Sequence, residues 1–216
     1  MYYSDIIISE TEAETLLELG HDFKEDLEEV VKLFSDTVNP RGSFRIYDSF
    51  ELFENGFIIE GVKFNSGKKI AKALYGSERI AVILATAGNE VETIIKKYNE
   101  DYDFIKSYWC DKLSNMILDK LMLKLIEEIR ISSLNDGMLI TSNWGPGYCG
   151  WSIEEQFPLL SLSDAEELGI TLSSSMLMNP VKSISGVIGI GKNVVFRKSG
   201  CGDCNLHKCA YRSLKW

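Results

Sequence analysis

The chain has 216 residues, of which 45% are hydrophobic and 25% charged, as expected for a globular protein with one sizeable core. Its formal net charge of −9 argues against non-specific binding to nucleic acid, because phosphates would repel it. No apolar run approaches the roughly 20 residues that a membrane-spanning helix needs, and the acidic N-terminal stretch does not resemble a signal peptide. We therefore predict one cytoplasmic domain over residues 1–216 that binds neither nucleic acid nor membrane.

In chain order, the first local signal is a capping box formed by Ser9 and Glu12, which predicts the start of a short helix. Apolar residues at helical spacing predict a second helix over 23–34. The run 57–64 is typical of a strand, with Gly61 as a bulge. The first third of the chain is therefore expected to contain both helices and strands.

The middle of the chain has the clearest patterns. Residues 79–86 are almost all apolar, which predicts a central strand buried on both faces. A long helix is predicted from about Asp103 to Arg130, because its apolar residues form one broad stripe. Cys110 lies in this helix and is expected to be a small buried side chain rather than a metal ligand. We predict an α+β fold with a central, twisted, largely antiparallel sheet flanked by helices, and the long helix packed across it.

A loop at 142–151 combines glycine and proline with aromatic residues. Gly145, Pro146 and Gly147 form a sharp corner whose backbone can approach a ligand closely, and Tyr148 follows directly. Two interpretations are open. Either the aromatic side chains pack on the core around a structural turn, or they lie exposed and suited to a flat corrin or adenine ring.

A helix and two strands are predicted after this loop. Ser152 with Glu155 three residues later predicts a second capping box and a helix that begins at Ser152. The segment 187–196 predicts two strands joined by a Gly-Lys-Asn turn. The glycines around Lys192 are not interpreted as a phosphate loop, because that motif requires Ser or Thr after its lysine and Asn193 stands there.

Several short motifs follow one another in the order and spacing of a known family. They are Asn39-Pro40-Arg41-Gly42, the strand end Leu84-Ala85-Thr86-Ala87-Gly88, Pro146-Gly147-Tyr148 with the leucine-rich helix after it, Gly169-Ile170-Thr171-Leu172, and Met178-x-Pro180-x-x-Ser183-Ile184-Ser185-Gly186. Over roughly Val30 to Gly191 the chain resembles the activation domain of vitamin B12-dependent methionine synthase. The resemblance implies the fold of that domain in a free-standing protein.

The resemblance also implies a ligand and a partner. The family binds S-adenosylmethionine in a groove and presents it to cob(II)alamin, which is reduced and remethylated so that an inactivated enzyme is rescued. For this chain it implies an accessory function in corrinoid-dependent methyl transfer, with a corrinoid protein or methionine synthase modules as partner. Whether the chain is itself an enzyme stays open. The alternatives are a non-catalytic module that binds a corrinoid protein, and an iron–sulfur or zinc protein with a vestigial groove.

The residues that the resemblance assigns to the groove depart from the family at two positions. Gly147 and Tyr148 match its Gly-Tyr pair, and Gly145 stands at its small-residue position. Asn143 stands where the family has an arginine, and Asn115 where it has a glutamate. An asparagine forms only neutral hydrogen bonds, about 1 kcal/mol each instead of about 2 or more for a charged partner. S-adenosylmethionine is therefore expected to bind weakly.

The C-terminal tail, 197–216, is rich in cysteine. Its cysteines are Cys201, Cys204 and Cys209. Their C-x2-C-x4-C spacing brings three thiolates to one point, as structural zinc and iron–sulfur clusters both require. Cys149 is the leading candidate for a fourth ligand, since it would tie the tail to the loop, and His207 is the alternative. A set of four cysteines favours an iron–sulfur cluster, and zinc or three metal-free thiols remain open.

Overall fold

A four-stranded antiparallel sheet lies at the centre of this computed structural model, which describes residues 3, 6, 8, 9, 12, 13 and 23–196. The elements in chain order are α1 (Lys24–Thr37), β1 (Arg41–Tyr47), β2 (Phe50–Phe53), β3 (Gly56–Ile59), β4 (Val62–Phe64), α2 (Lys68–Ala73), β5 (Arg79–Thr86), α3 (Asn89–Glu100), α4 (Phe104–Asn135), β6 (Leu139–Ile140), a 3-10 turn (Ile153–Glu155), α5 (Gln156–Ser161), α6 (Ala165–Leu168), β7 (Thr171–Leu172), β8 (Met178–Asn179) and β9 (Ser183–Gly191). The central sheet has the order β1-β5-β9-β6, while β2-β3-β4 and β7-β8 form smaller sheets. All these strand pairs are antiparallel, which confirms the α+β prediction.

Strand β5 is the inner strand predicted from its apolar run. Every residue except Arg79 is buried, because the sheet is covered on both sides. Ala81 and Ile83 belong to the core layer that contains α4. Ile80 and Val82 belong to the opposite layer, which contains β3 and β4. Burial on both faces explains why the strand shows no alternation between apolar and polar residues.

Helix α4 packs on one face of the central sheet and extends further than predicted. It begins after Asp103, whose carboxylate accepts the backbone N–H of Lys106 at 3.1 Å and so caps the first turn. It ends at Asn135 rather than near Arg130. The hydroxyl of Ser133, near the end of the helix, is satisfied within it by donating to the carbonyl of Ile129 at 2.8 Å. Within the described residues, no helix combines the length and apolar character that a bilayer crossing requires.

The run 57–64 forms two strands, so the prediction of one strand with a bulge at Gly61 is wrong. Glu60 and Gly61 have φ angles of 49° and 79°, as in a two-residue turn of the primed type. The turn folds β4 back on β3 and brings Phe57 and Phe64 together with their ring centroids 5.1 Å apart. Both rings are fully buried, so this hairpin contributes directly to the second core layer.

The two predicted capping boxes have different outcomes. At the first, the N–H of Ser9 donates to the Glu12 carboxylate at 2.9 Å and the N–H of Glu12 donates to the Ser9 hydroxyl at 3.3 Å, as predicted. At the second, the hydroxyl of Ser152 accepts the N–H of Glu154 at 3.3 Å, and a 3-10 turn precedes the α-helix. Glu155 does not reach back to Ser152, because its carboxylate has partners elsewhere in the fold.

The segment 187–196 contains the end of one strand rather than the two that were predicted. Strand β9 continues to Gly191, and residues 194–196 form no strand within the part of the chain that the structure describes. The carboxylate of Glu78 accepts the N–H of Lys192 at 3.2 Å, just after the last residue of the strand. The loop that follows β9 is therefore fixed to the start of β5.

Candidate functional site

The chain that leads into the Gly-Pro-Gly loop is hydrogen-bonded to β9. Beyond β6, the N–H of Thr141 donates to the carbonyl of Gly189 at 2.8 Å. Trp144 then exchanges two backbone hydrogen bonds with Val187, of 3.0 and 2.7 Å. A Cβ at Gly145 would lie 2.6 Å from the carbonyl oxygen of Ser185, so a side chain there would force the loop off the strand. The absence of a side chain at Gly145 thus allows the backbones of the loop and of β9 to approach closely.

The three aromatic residues of the loop do not share one environment. Trp144 and Trp151 are only 6% and 2% exposed. Trp151 packs edge-on against Phe57 and Phe64, with centroid distances of 5.5 and 6.1 Å. Tyr148 is 73% exposed. The structural interpretation therefore holds for the two tryptophans, whereas Tyr148 is presented to solvent and can meet a ligand or a partner.

Glu155 anchors the loop to the second sheet, a function that the sequence did not reveal. Its carboxylate accepts the indole N–H of Trp151 at 2.5 Å. It also accepts the backbone N–H of Asn65, with both oxygens at 2.9 Å. Asn65 follows β4 directly, so one carboxylate connects the end of the loop to the hairpin layer. The sequence signal was misleading, since Glu155 has the spacing of a capping residue.

Asn143 lies against β9 on the side of the sheet that α4 covers. A Cβ at Gly186 would be 2.1 Å from the Oδ1 atom of Asn143. Side chains alternate along a strand, and Ile184 and Ile188, two positions to either side of Gly186, pack in the α4 layer. The Oδ1 atom of Asn143 is buried and accepts no hydrogen bond from the described residues. This carboxamide therefore has an unused acceptor at the loop.

Asn115 belongs to a charged cluster on α4. The Nζ atom of Lys182 donates to Oδ1 of Asn115 at 2.9 Å and to Oδ1 of Asp111 at 2.6 Å. The Lys182 side chain is only 16% exposed, although it carries a charge. Its carbonyl accepts the N–H of Ala87 at 2.9 Å, which fixes its backbone beside the end of β5. Sequence reasoning missed Lys182, because no spacing pattern links it to α4.

Asn115 and Asn143 both lie on the α4 side of the central sheet. Lys182 holds Asn115, and Asn143 lies against Gly186, four residues further along the chain. An extended chain advances about 3.3 Å per residue, so the Cα atoms of Lys182 and Gly186 are roughly 13 Å apart.

A cavity of about 550 Å³ opens beside this cluster. Its walls come from the outer face of α3, from Asp111, and from Val181 and Lys182. Neither Asn143 nor Tyr148 is among the described residues that line it. The cavity and the loop are therefore separate features among the described residues.

Two of the cysteines, Cys110 and Cys149, lie in the part of the chain that the structure describes. Cys110 is fully buried, and burial raises the pKa of its thiol to about 12, which confirms the prediction of a buried side chain. Cys149 is partly buried and has a φ of 54°. The positions outside the described residues are Cys201, Cys204, Cys209 and His207. Among the residues that the structure does describe, no three His, Cys, Asp or Glu side chains converge as a metal site requires.

The fold that positions these residues is a central antiparallel sheet with a long helix across it and a glycine-rich loop beside the last strand. Among solved structures, the chain is similar to the crystal structure of the MetH reactivation domain bound to AdoHcy, with a TM-score of 0.63 and 14% sequence identity. The match covers 85% of this chain and 70% of that one. No family model matches the sequence, and no curated protein does. The distant resemblance predicted from the motifs is thus confirmed at the level of the fold.

Proposed function

We propose that this protein is an accessory module of corrinoid-dependent methyl transfer, which helps to return the cobalt of a partner corrinoid protein to its methyl-accepting state. The likeness to the MetH reactivation domain over 85% of the chain supports this proposal. The observation that carries it is the exposed Tyr148, which follows Gly147 in a loop that is paired to β9 at Trp144. An aromatic ring beside accessible backbone is suited to contact a flat ring system.

The groove between α4 and the loop is the proposed site for an adenosyl ligand. Its residues are Asn115, Asn143, Gly145, Gly147 and Tyr148. Asn143 offers a buried carboxamide oxygen without a donor among the described residues, which fits a ligand amino group or hydroxyl group. S-adenosylmethionine would supply a methyl group there, while this chain's residues bind and orient the ligand.

We also propose a metal centre formed by Cys201, Cys204 and Cys209 with Cys149. Support comes from the spacing of the three tail cysteines and from the position of Cys149 in the loop, directly after Tyr148. Cys149 is only partly buried, so a ligand set from another segment can reach it. An iron–sulfur cluster at this position would place an electron carrier next to the groove, whereas zinc would have a structural function.

Mixing the protein anaerobically with the cobalamin-binding module of a methionine synthase, held as cob(II)alamin, tests the proposed function. With S-adenosylmethionine and a one-electron reductant present, we expect faster formation of methylcob(III)alamin, followed by its visible absorption. The Tyr148→Ala variant, altered at an exposed position, should be slower at unchanged stability. Association without acceleration would support the non-catalytic binding module instead. If the protein neither associates with the cobalamin module nor accelerates the reaction, both proposed functions are contradicted.

A further inference from the structure

Helix α4 carries apolar side chains on its solvent-facing side as well as on the side that packs against the sheet. In its C-terminal half, Leu123, Ile131 and Leu134 are 63%, 50% and 44% exposed. Leu125 and Ile129, on the opposite side of the same turns, are fully buried. The three exposed residues follow the helical spacing of a single face, so α4 presents a second apolar stripe to solvent.

Two charged residues lie in the middle of this stripe. The Nε atom of Arg130 donates to one carboxylate oxygen of Glu127 at 2.6 Å, and its Nη2 atom donates to the other at 2.5 Å. Both side chains are about half-exposed. We define the outer stripe of α4 as Leu123, Ile126, Glu127, Arg130, Ile131 and Leu134. Its ends are therefore apolar, and its centre holds one negative and one positive charge.

The outer stripe has the same order of residue types from either end. Leucine stands at 123 and 134, isoleucine at 126 and 131, and charges of opposite sign at 127 and 130. When a two-fold axis passes between residues 128 and 129, two antiparallel copies of α4 bring 123 beside 134, 126 beside 131 and 127 beside 130 of the second copy. Self-complementarity of this kind is what a two-fold symmetric interface requires.

The charges at the centre favour this pairing over a shifted one. Across the axis each Glu127 meets Arg130 of the second copy, and like charges do not face each other. The net charge of −9 on each chain opposes association at long range, but salt screens that repulsion. The outer stripe covers roughly 17 Å of helix, which is short for a protein interface. We therefore expect a dimer of modest affinity that forms at high protein concentration.

We propose that the outer stripe of α4 is the interface of a two-fold symmetric homodimer, in which the C-terminal halves of two α4 helices pack antiparallel. Leucine and isoleucine side chains are buried at both ends of the contact, and Glu127 and Arg130 fix its register. The kind of partner that the stripe fits is thus a second copy of this chain. Tyr148 and the Gly-Pro-Gly loop are not part of the stripe, so the inference does not depend on the proposed function.

Sedimentation velocity over a dilution series of the intact protein, with a thiol reductant present, tests the dimer. We expect the wild type to shift from monomer to dimer as its concentration rises. Arg130→Glu brings glutamates face to face, and Glu127→Arg does the same with arginines. Each variant alone should therefore dimerise at least about tenfold more weakly. An equimolar mixture of the two restores opposite charges at both contacts and should dimerise like the wild type. A function of the pair within one helix predicts no such recovery.

The matched controls are Lys68→Glu and Glu54→Arg, which produce the same two changes in net charge. They alter an exposed ion pair of 2.6 Å away from α4, and both should dimerise like the wild type. Leu123→Ser tests the apolar part of the contact, and it should weaken the dimer without unfolding the chain, because this side chain is largely exposed.

Three outcomes would overturn the inference. The first is a wild type that stays monomeric at every concentration. The second is a mixture of Arg130→Glu and Glu127→Arg that dimerises no better than either variant alone. The third is a dimer that Leu123→Ser leaves unchanged, since the two copies would then meet through another surface.

Discussion

At the scale of single residues, the Glu155 carboxylate connects the loop to the hairpin layer by accepting hydrogen bonds from Trp151 and from Asn65. We predict that Glu155→Ala lowers the free energy of unfolding by about 1–3 kcal/mol, because the Asn65 N–H and the Trp151 indole N–H lose their acceptor. Urea denaturation measures this loss, and amide hydrogen exchange should be faster at residues 147–151. Glu154→Ala is the matched control, since Glu154 is exposed. Equal stability of the two variants would contradict the anchoring function.

Cys110 predicts a dependence of stability on alkaline pH. Burial raises the pKa of this thiol to about 12, whereas the thiol of an unfolded cysteine has a pKa of about 8.5. The unfolded state therefore loses a proton that the folded state keeps. The stability from this difference is complete below about pH 8.5 and is lost as the pH rises toward 12.

We expect the urea midpoint to fall between pH 8 and pH 10 by more in the wild type than in Cys110→Ala. Comparing the urea midpoints of the same protein at the two pH values removes the constant cost of the smaller side chain. Other groups titrate in the same range, so only the difference between the two proteins is interpreted. Identical pH profiles would show that ionisation of Cys110 does not contribute.

The two asparagines at positions where the family has charged residues give the third prediction. We expect S-adenosylmethionine to bind the wild type more weakly than micromolar, and the combined change Asn143→Arg with Asn115→Glu to strengthen binding by about tenfold or more, because charge-assisted hydrogen bonds replace neutral ones. Calorimetry measures both values. A micromolar or lower dissociation constant for the wild type would contradict our interpretation of these substitutions. In the double variant, Lys182 is expected to pair with the new carboxylate as well, which limits the gain.

At the scale of elements, the β3–β4 hairpin contains a residue that fits its turn poorly. Glu60 adopts a φ of 49°, which is uncommon for a residue with a long side chain, whereas asparagine adopts it readily. We predict that Glu60→Asn raises the free energy of unfolding by about 0.5–1 kcal/mol. Gly61→Ala should have the opposite sign, since Gly61 has a φ of 79° that alanine adopts only with strain. Thermal unfolding of both variants tests the turn, and a destabilised Glu60→Asn would argue against the primed type.

At the scale of the whole molecule, the proposed metal centre joins two distant parts of the chain. If Cys149 is a ligand, Cys149→Ser should lower the iron or zinc content of anaerobically purified protein and speed hydrogen exchange at residues 144–151, because metal ligation stabilises the segments it connects. The control is Cys110→Ser, which changes a cysteine away from the loop. Full metal content in Cys149→Ser would show that Cys149 is not a ligand. The fourth ligand would then be His207 or a ligand from outside the chain.

The sequence alone determined the central strand, most of the long helix and the α+β class, because these signals are local. A strand buried on both faces must be apolar at almost every position, and 79–86 shows this directly. A helix packed on a sheet must carry one apolar stripe, which identified most of α4. The order of the short motifs then identified the fold, although identity to the similar solved structure is only 14%.

Only the tertiary structure decided the partners of the polar side chains. Glu155 has the spacing of a helix cap, yet it pairs with Asn65, 90 positions away. Lys182 has no local signature, yet it pairs with Asp111, 71 positions away. A hydrogen bond depends on the distance between two groups in space, and packing of the apolar faces sets that distance. Periodicity within one segment reports which of its faces is buried, but it carries no information about the polar group that another segment brings to it.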